Sequence, residues 1–178
     1  MTASTSPSAQ HKEKAAQVRA VAIALVTVSD TRTSETDKNG EYLRGQLEEL
    51  GHRLVEYRII PDEKSEIEKA LTDLIGENCD ILIFNGGTGI GPRDVTIDIV
   101  EKKFEKHLPG FGEIFRMLSY EQIGSAAILS RAAAGYLGST AVFCLPGSSK
   151  AVQLGWEKLI APELRHLAWE QKRSNRLP

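Results

Sequence analysis

The chain is short of cysteine, clustered histidine, aromatics and surplus positive charge, and each shortage removes a class of function. Only two cysteines occur among 178 residues, Cys79 and Cys144, each in or beside an apolar run; they read as buried free thiols. The four histidines, His11, His52, His107 and His166, lack the close spacing of a zinc site, so no zinc is expected. A net charge of -2 with 6% aromatics argues against a nucleic-acid surface, because neutralising a phosphate backbone takes a basic field this chain does not have. A small anion could still be met by local arginines. No apolar run approaches the roughly 20 residues of a membrane helix, so no bilayer span is expected. The opening stretch MTASTSPSAQHKEKAAQ has no apolar core of a signal peptide; it reads as a flexible tail over residues 1–18, and the expected location is cytoplasmic.

What the chain does have is an alternation of strand and helix signals. VAIALVTV, residues 21–28, is a β-branched apolar run that stops in the polar stretch SDTRTSETDKNG, as a strand buried on both faces would. EYLRGQLEEL then places Leu43, Leu47 and Leu50 on one helical stripe, with Gly51 as its stop signal. RLVEYRII ends at Pro61, and SEIEKALTDLIGE puts Ile67, Ala70, Leu71, Leu74 and Ile75 on one face. DILIF leads into a glycine loop, VTIDIVEKKF reads as a helix with Thr96 near its N-cap, and PGFGEIFRMLSYEQIG reads as a turn entering another. AAILSRAAAG is open between helix and strand, AVFCL is a strand, and KAVQLGWEKLIAPELRHLAWEQ gives two helical stretches hinged at Pro162. The expected fold is therefore α/β, a mostly parallel open sheet with helices on both faces in a three-layer, Rossmann-like arrangement. One domain over residues 19–170 and a polar C-terminal tail over 171–178 account for the length.

In such a sheet, ligands bind at the carboxyl ends of the strands. Ser29 and Asp30 close the first strand, Pro61 and Asp62 the second, Gly86 to Gly89 the third, and Pro146, Gly147 and Ser148 the late strand. The stretch FNGGTGIGPRD suits an anion, since backbone N–H groups reach a phosphate only where no side chain obstructs them; a plain tight turn explains a short glycine run equally well. Neither the dinucleotide fingerprint nor the P-loop pattern fits, because Pro92 and Arg93 stand where those motifs need other residues. Asp62 and Asp94 follow apolar runs in loops, where two acids beside a phosphate site suggest Mg²⁺ ligands and either one alone could be a cap. Arg93, Arg116, Arg131 and Lys150 could balance anionic charge or simply be solvated. Glu113, set among Pro109, Gly110 and Gly112, reads as a positioned acid.

Six stretches in this order, VTVSDTR, IIPDE, NGGTGIGPRDVT, PGFGEIFRMLSYEQIG, AAILSRAAAG and LPGS, resemble the MoaB/MogA family of molybdenum-cofactor biosynthesis proteins, and the MoaB branch more than the MogA branch. The likeness runs from about Val21 to Leu167. It implies a molybdopterin-binding α/β domain that assembles as a homotrimer or homohexamer. It also implies molybdopterin adenylyltransferase activity, in which Mg-ATP adenylates the terminal phosphate of molybdopterin, pyrophosphate leaves, and a separate protein then inserts molybdate. A molybdopterin-binding or scaffold protein without turnover is the alternative within the same fold. Carried over, the resemblance makes Asp62 and Asp94 the catalytic and Mg²⁺-holding acids and gives Gly86, Gly87, Thr88 and Gly89 to phosphate. Ser29, Asp30, Glu113, Ser130, Arg131, Pro146, Gly147 and Ser148 would line the pocket. Two places depart from the family pattern: Phe84-Asn85, where threonines are common, and Ser149, where a proline is common.

Overall fold

The computed structural model describes residues 20–76 and 78–174. The stretch read as a tail over 1–18 lies outside the described residues, as do residues 175–178.

Six strands form one sheet in the order β2-β1-β3-β6-β5-β4. β1 (Ala22–Val28) pairs in parallel with β2 (Arg53–Ile60) on one side and with β3 (Ile81–Asn85) on the other, and β3 pairs in parallel with β6 (Thr140–Leu145). Every residue of β1, β3 and β6 is buried, as the unbroken apolar runs require of strands covered on both faces. The sheet is mostly parallel but mixed. β5 (Ala133–Leu137) runs antiparallel to β6, and the short β4 (Lys106–His107) runs antiparallel to β5. The reversal is local: Gly138, at φ 54°, turns the chain back after β5 within two residues, too few for the crossover a parallel neighbour needs. This decides the ambiguous AAILSRAAAG stretch, which is a 3₁₀ turn over Gly124–Leu129 followed by strand.

Helices cover both faces. On one, α1 (Lys38–Glu49), α4 (Pro109–Ile123), α5 (Ser149–Gly155) and α6 (Leu164–Ser174) pack Leu43, Leu47, Phe115, Val152 and Leu164 against Ile23, Leu25, Ile81 and Ile83. On the other, α2 (Lys64–Leu74) and α3 (Thr96–Val100) bring Ile67, Leu71, Ile97 and Val100 onto Ala24, Val26, Leu82 and Phe84. Each interior strand thus sends alternate residues into two cores. Cys79 and Cys144 are both buried free thiols.

Several helix ends differ from the periodicity. Leu50 and Ile75, placed on apolar stripes by spacing, sit past the last turns of α1 and α2 and are 42% and 36% exposed, because each helix ends one residue earlier. PGFGE is the first turn of α4 rather than a turn before it, with Pro109 at the position where a missing N–H costs nothing. α3 is shorter than VTIDIVEKKF suggests and passes into a 3₁₀ turn at Glu101–Lys103. The C-terminal helices are joined by a π-helical turn, Trp156–Ile160, and a 3₁₀ turn containing Pro162. α6 runs to Ser174, four residues into the stretch read as a polar tail. No helix of the described residues is long and apolar enough to cross a membrane.

Candidate active site

Because β2, β1, β3 and β6 are parallel, their carboxyl ends open on one edge, and a cleft of about 380 Å³ lies there. Its walls include Ser29, Asp62, Gly86, Gly87, Thr88, Gly89, Asp94, Ser130, Arg131, Pro146 and Gly147, residues contributed by every one of those strand ends. Thr27, Arg32 and Asn85 also line it. Asp30, Ser148 and Glu113 do not belong to this wall.

The glycine loop and its acid fold around each other. Gly86 and Gly87 have φ of 102° and 61°, a region that L side chains rarely adopt. A Cβ on Gly89 would fall 2.6 Å from Asp94 Oδ2, so the Asp94 carboxylate packs onto the loop only because the position is glycine. The same oxygen accepts the Gly91 N–H at 2.9 Å. Arg131 fastens the loop from the other side, donating from Nε to Thr88 O (2.9 Å) and from Nη2 to Asp94 O (3.0 Å). Its remaining reach is taken by a two-pronged pair with Asp98 at 3.1 and 3.0 Å, which holds the Asp98 carboxyl below its ordinary range. Arg131 is therefore a buckle on the loop whose charge is already matched.

Asp62 faces the cleft half-buried. Burial first, then the negative charges of Asp30 and Asp94, push its carboxyl above the usual range. Asp62 and Asp94 line the same cleft. Asp30 has a different task. Its carboxylate accepts the Asp62 N–H at 3.1 Å and pairs with Arg93 at 2.9 Å, and these donors hold it below its usual range. It links the ends of β1 and β2 instead of lining the cleft, and Arg93 is committed to it and to Glu63 at 3.2 Å.

Ser29 accepts the N–H groups of Thr31 and Arg32 on its hydroxyl, both at 3.3 Å, and so shapes the turn after β1. Ser148 caps α5 by accepting the Ala151 N–H at 3.3 Å. Glu113 is exposed on α4 in a second cleft of about 470 Å³, together with His107 and Arg116. That cleft shares Ser130 and Arg131 with the first as a common wall. Lys150 lines a separate surface depression beside α5.

Thr27, Arg32, Asn85 and Gly147 of the cleft wall are tied to a buried polar network that spacing does not reveal. Asp37, 2% exposed, accepts from Thr27 Oγ1, from Tyr57 OH at 2.7 Å, from Arg32 Nη1 at 2.9 Å and from the Asn39 N–H at 3.2 Å. Burial opposes its charge, but the donors outweigh burial and hold its carboxyl below the usual range, while the Tyr57 hydroxyl is pushed up to about 12 by burial and by Asp37. Arg32 and Asn39 both donate to Gly147 O, at 2.9 and 2.8 Å, which locks the loop after β6 to the loop after β1. Asn39 also donates to Asn85 Oδ1 at 3.3 Å and accepts from Ser149 Oγ at 2.8 Å. The two places where the chain departs from the family pattern, Asn85 and Ser149, are thus joined through one side chain. A polar TDKN stretch directly before an amphipathic helix was the available signal, and it reads just as well as an ordinary cap.

The chain resembles known proteins along most of its length. Residues 24–166 match the family described as "Probable molybdopterin binding domain". Molybdenum cofactor biosynthesis protein B of Bacillus subtilis is 53% identical over 163 residues, covering 90% of this chain and 95% of its own. A crystal structure of a molybdenum cofactor biosynthesis protein B superposes with a TM-score of 0.83 at 49% identity, over 86% of this chain and 97% of that one. The tungsten cofactor synthesizing protein MoaB of Pyrococcus furiosus gives 0.78 at 38%, over 86% and 98%. A MogA structure gives 0.76 at 29%, over 84% and 99%, so the likeness is greater to these two MoaB-type proteins than to MogA. The chain belongs to the MoaB/MogA family of molybdenum cofactor biosynthesis proteins.

Proposed function

We propose that this protein acts in molybdenum cofactor biosynthesis as a molybdopterin adenylyltransferase. The observation that supports the reading best is the pair of carboxylates, Asp62 and Asp94, that share the wall of one cleft with the glycine loop they pack against. The attacking atom is an oxygen of the molybdopterin phosphate. Its bond to the α-phosphorus of ATP forms as the bond from that phosphorus to the bridging oxygen breaks, and pyrophosphate leaves. Such a transfer depends on positioning and charge, so no side-chain nucleophile is required.

The chain's own groups suit that task. Gly86 spends its N–H on Leu145 O at 3.0 Å, which leaves the N–H groups of Gly87, Thr88 and Gly89 as the ones to meet phosphate oxygens. The acids offer oxygen only, and among the described residues no group of three or more His, Cys, Asp or Glu is placed to hold a metal. That donor set fits Mg²⁺, which takes one or two carboxylates and completes its shell with phosphate and water. Asp62 and Asp94 would hold it, and when bound it would offset the negative charge of the reacting phosphates.

The test mixes the protein with molybdopterin and Mg-ATP and follows pyrophosphate and adenylated pterin together. Pterin-dependent release is expected, and Asp62→Asn or Asp94→Asn should lower it at least a hundredfold while pterin binding survives. Pterin binding without release would make the protein a carrier, and unchanged turnover in both variants would refute the assignment of the acids. The same reading includes a homo-oligomer, supported by Ile114, Met117, Tyr120 and Ile123 on the exposed surface of α4 and by Ile128 beyond it. Light scattering that gives a monomer at working concentration would remove that part.

A further inference from the structure

Among the buried side chains of the described residues, Thr96 Oγ1 is the one nitrogen or oxygen without a hydrogen-bond partner. The residue is 0% exposed, so its hydroxyl bears the full cost of leaving water. Packing does not explain it. Valine has nearly the same shape and would fill the place without an unpaired polar atom. The backbone holds the residue in position, since Thr96 N donates to Gly87 O at 2.9 Å at the start of α3.

Gly87 supplies the second observation. A Cβ built on it would run into Thr96 Oγ1 and would lie 2.7 Å from Asp62 Oδ1, with Val28 Cγ1 at 3.1 Å. The unpaired donor and the carboxylate therefore border one methyl-sized space, which only glycine leaves open.

We propose that Thr96 is a positioning residue of the candidate active site, its hydroxyl donating to the Asp62 carboxylate across the gap at Gly87 and fixing the orientation in which Asp62 meets its ligand. The proposal rests on the reading of Asp62 as a working carboxylate of a metal and phosphate site. It predicts that the hydroxyl is kept for function at the expense of stability.

The experiment uses the full chain, with Mn²⁺ as the metal probe in the presence of inorganic pyrophosphate. Thr96→Val should melt no lower than the parent and bind Mn²⁺ about tenfold more weakly, the effect of one hydrogen bond. Thr96→Ser, which keeps the hydroxyl, should recover most of the affinity. On an Asp62→Asn background, Thr96→Val should add no further loss, as expected when one residue acts through the other. A lower melting point for Thr96→Val, unchanged Mn²⁺ affinity, or an equal loss on the Asp62→Asn background would each overturn the role given to Thr96. A parent protein that takes up no Mn²⁺ with pyrophosphate would instead overturn the reading of the site, and this inference with it.

Discussion

Removing the Asp37 side chain takes one acceptor from four donors at once. In Asp37→Ala, Tyr57 OH, Arg32 Nη1, the Asn39 N–H and Thr27 Oγ1 all lose their partner, three of them at 2.7, 2.9 and 3.2 Å. The Asp37 side chain in the Arg32 pair is fully buried, and breaking a buried pair by deleting one partner costs about 3–5 kcal/mol. Loss of the α1 cap lies within that figure, since a cap alone is worth about 1 kcal/mol. At this chain length 1 kcal/mol moves the melting point by about 2–4 °C, so a fall of roughly 10 °C is expected. Asp37→Asn keeps the size and one acceptor oxygen and should fall by less. The pH dependence follows from the sign of the shift. A carboxyl held low in the folded state contributes stability that is fully present above its unfolded value of about 3.9 and is lost as pH falls through the lowered folded value. The parent should therefore lose stability as pH drops below about 4, and that acid limb should be shallower in Asp37→Asn. Thermal melts by circular dichroism between pH 3 and pH 7 measure both effects. A melting point for Asp37→Ala within about 2 °C of the parent would refute the claim that this network holds the strand-end loops together.

Two other outcomes are expected. Gly87→Ala combines a left-handed backbone, φ 61°, with a methyl group driven against Asp62 Oδ1 at 2.7 Å. It should lower stability by about 1–2 kcal/mol in urea unfolding and abolish pyrophosphate binding by calorimetry; a variant that binds like the parent would show that the gap at Gly87 is not part of the site. Burial pushes the Cys79 thiol up to about 11, and the Cys144 thiol further. Neither should react with an aromatic disulfide reagent at pH 8 until the chain is unfolded, and prompt reaction of the native protein would contradict the burial of Cys79 before β3 and of Cys144 in β6.

The succession of strands and helices and the mostly parallel sheet were legible in the sequence, because those signals are local, whereas the antiparallel return of β5 and β4 was not. Unbroken β-branched runs mark strands covered on both faces, three-and-four spacing marks the helices, and glycine, proline and acid at the run ends mark the ligand edge. Asp62, Asp94 and the Gly86 to Gly89 loop were legible on those grounds, and the structure brings them to one cleft. Tertiary structure decided which polar groups are free to act. Asp30 and Arg93 look like site residues in the chain but are spent on each other, Ser148 is a cap, and Glu113 turns to a neighbouring cleft. Arg32 closes the VTVSDTR stretch, but Asp37, Asn39 and Tyr57 belong to no motif, yet they join Arg32, Asn85 and Gly147 of the cleft wall in one hydrogen-bonded network. Helix and strand are set by dihedral preference and periodic burial within a few residues. The partner of a carboxylate or a hydroxyl is set by which loops the strand order places side by side, and neither the burial of Thr96 nor its place beside Asp62 exists until the sheet has formed.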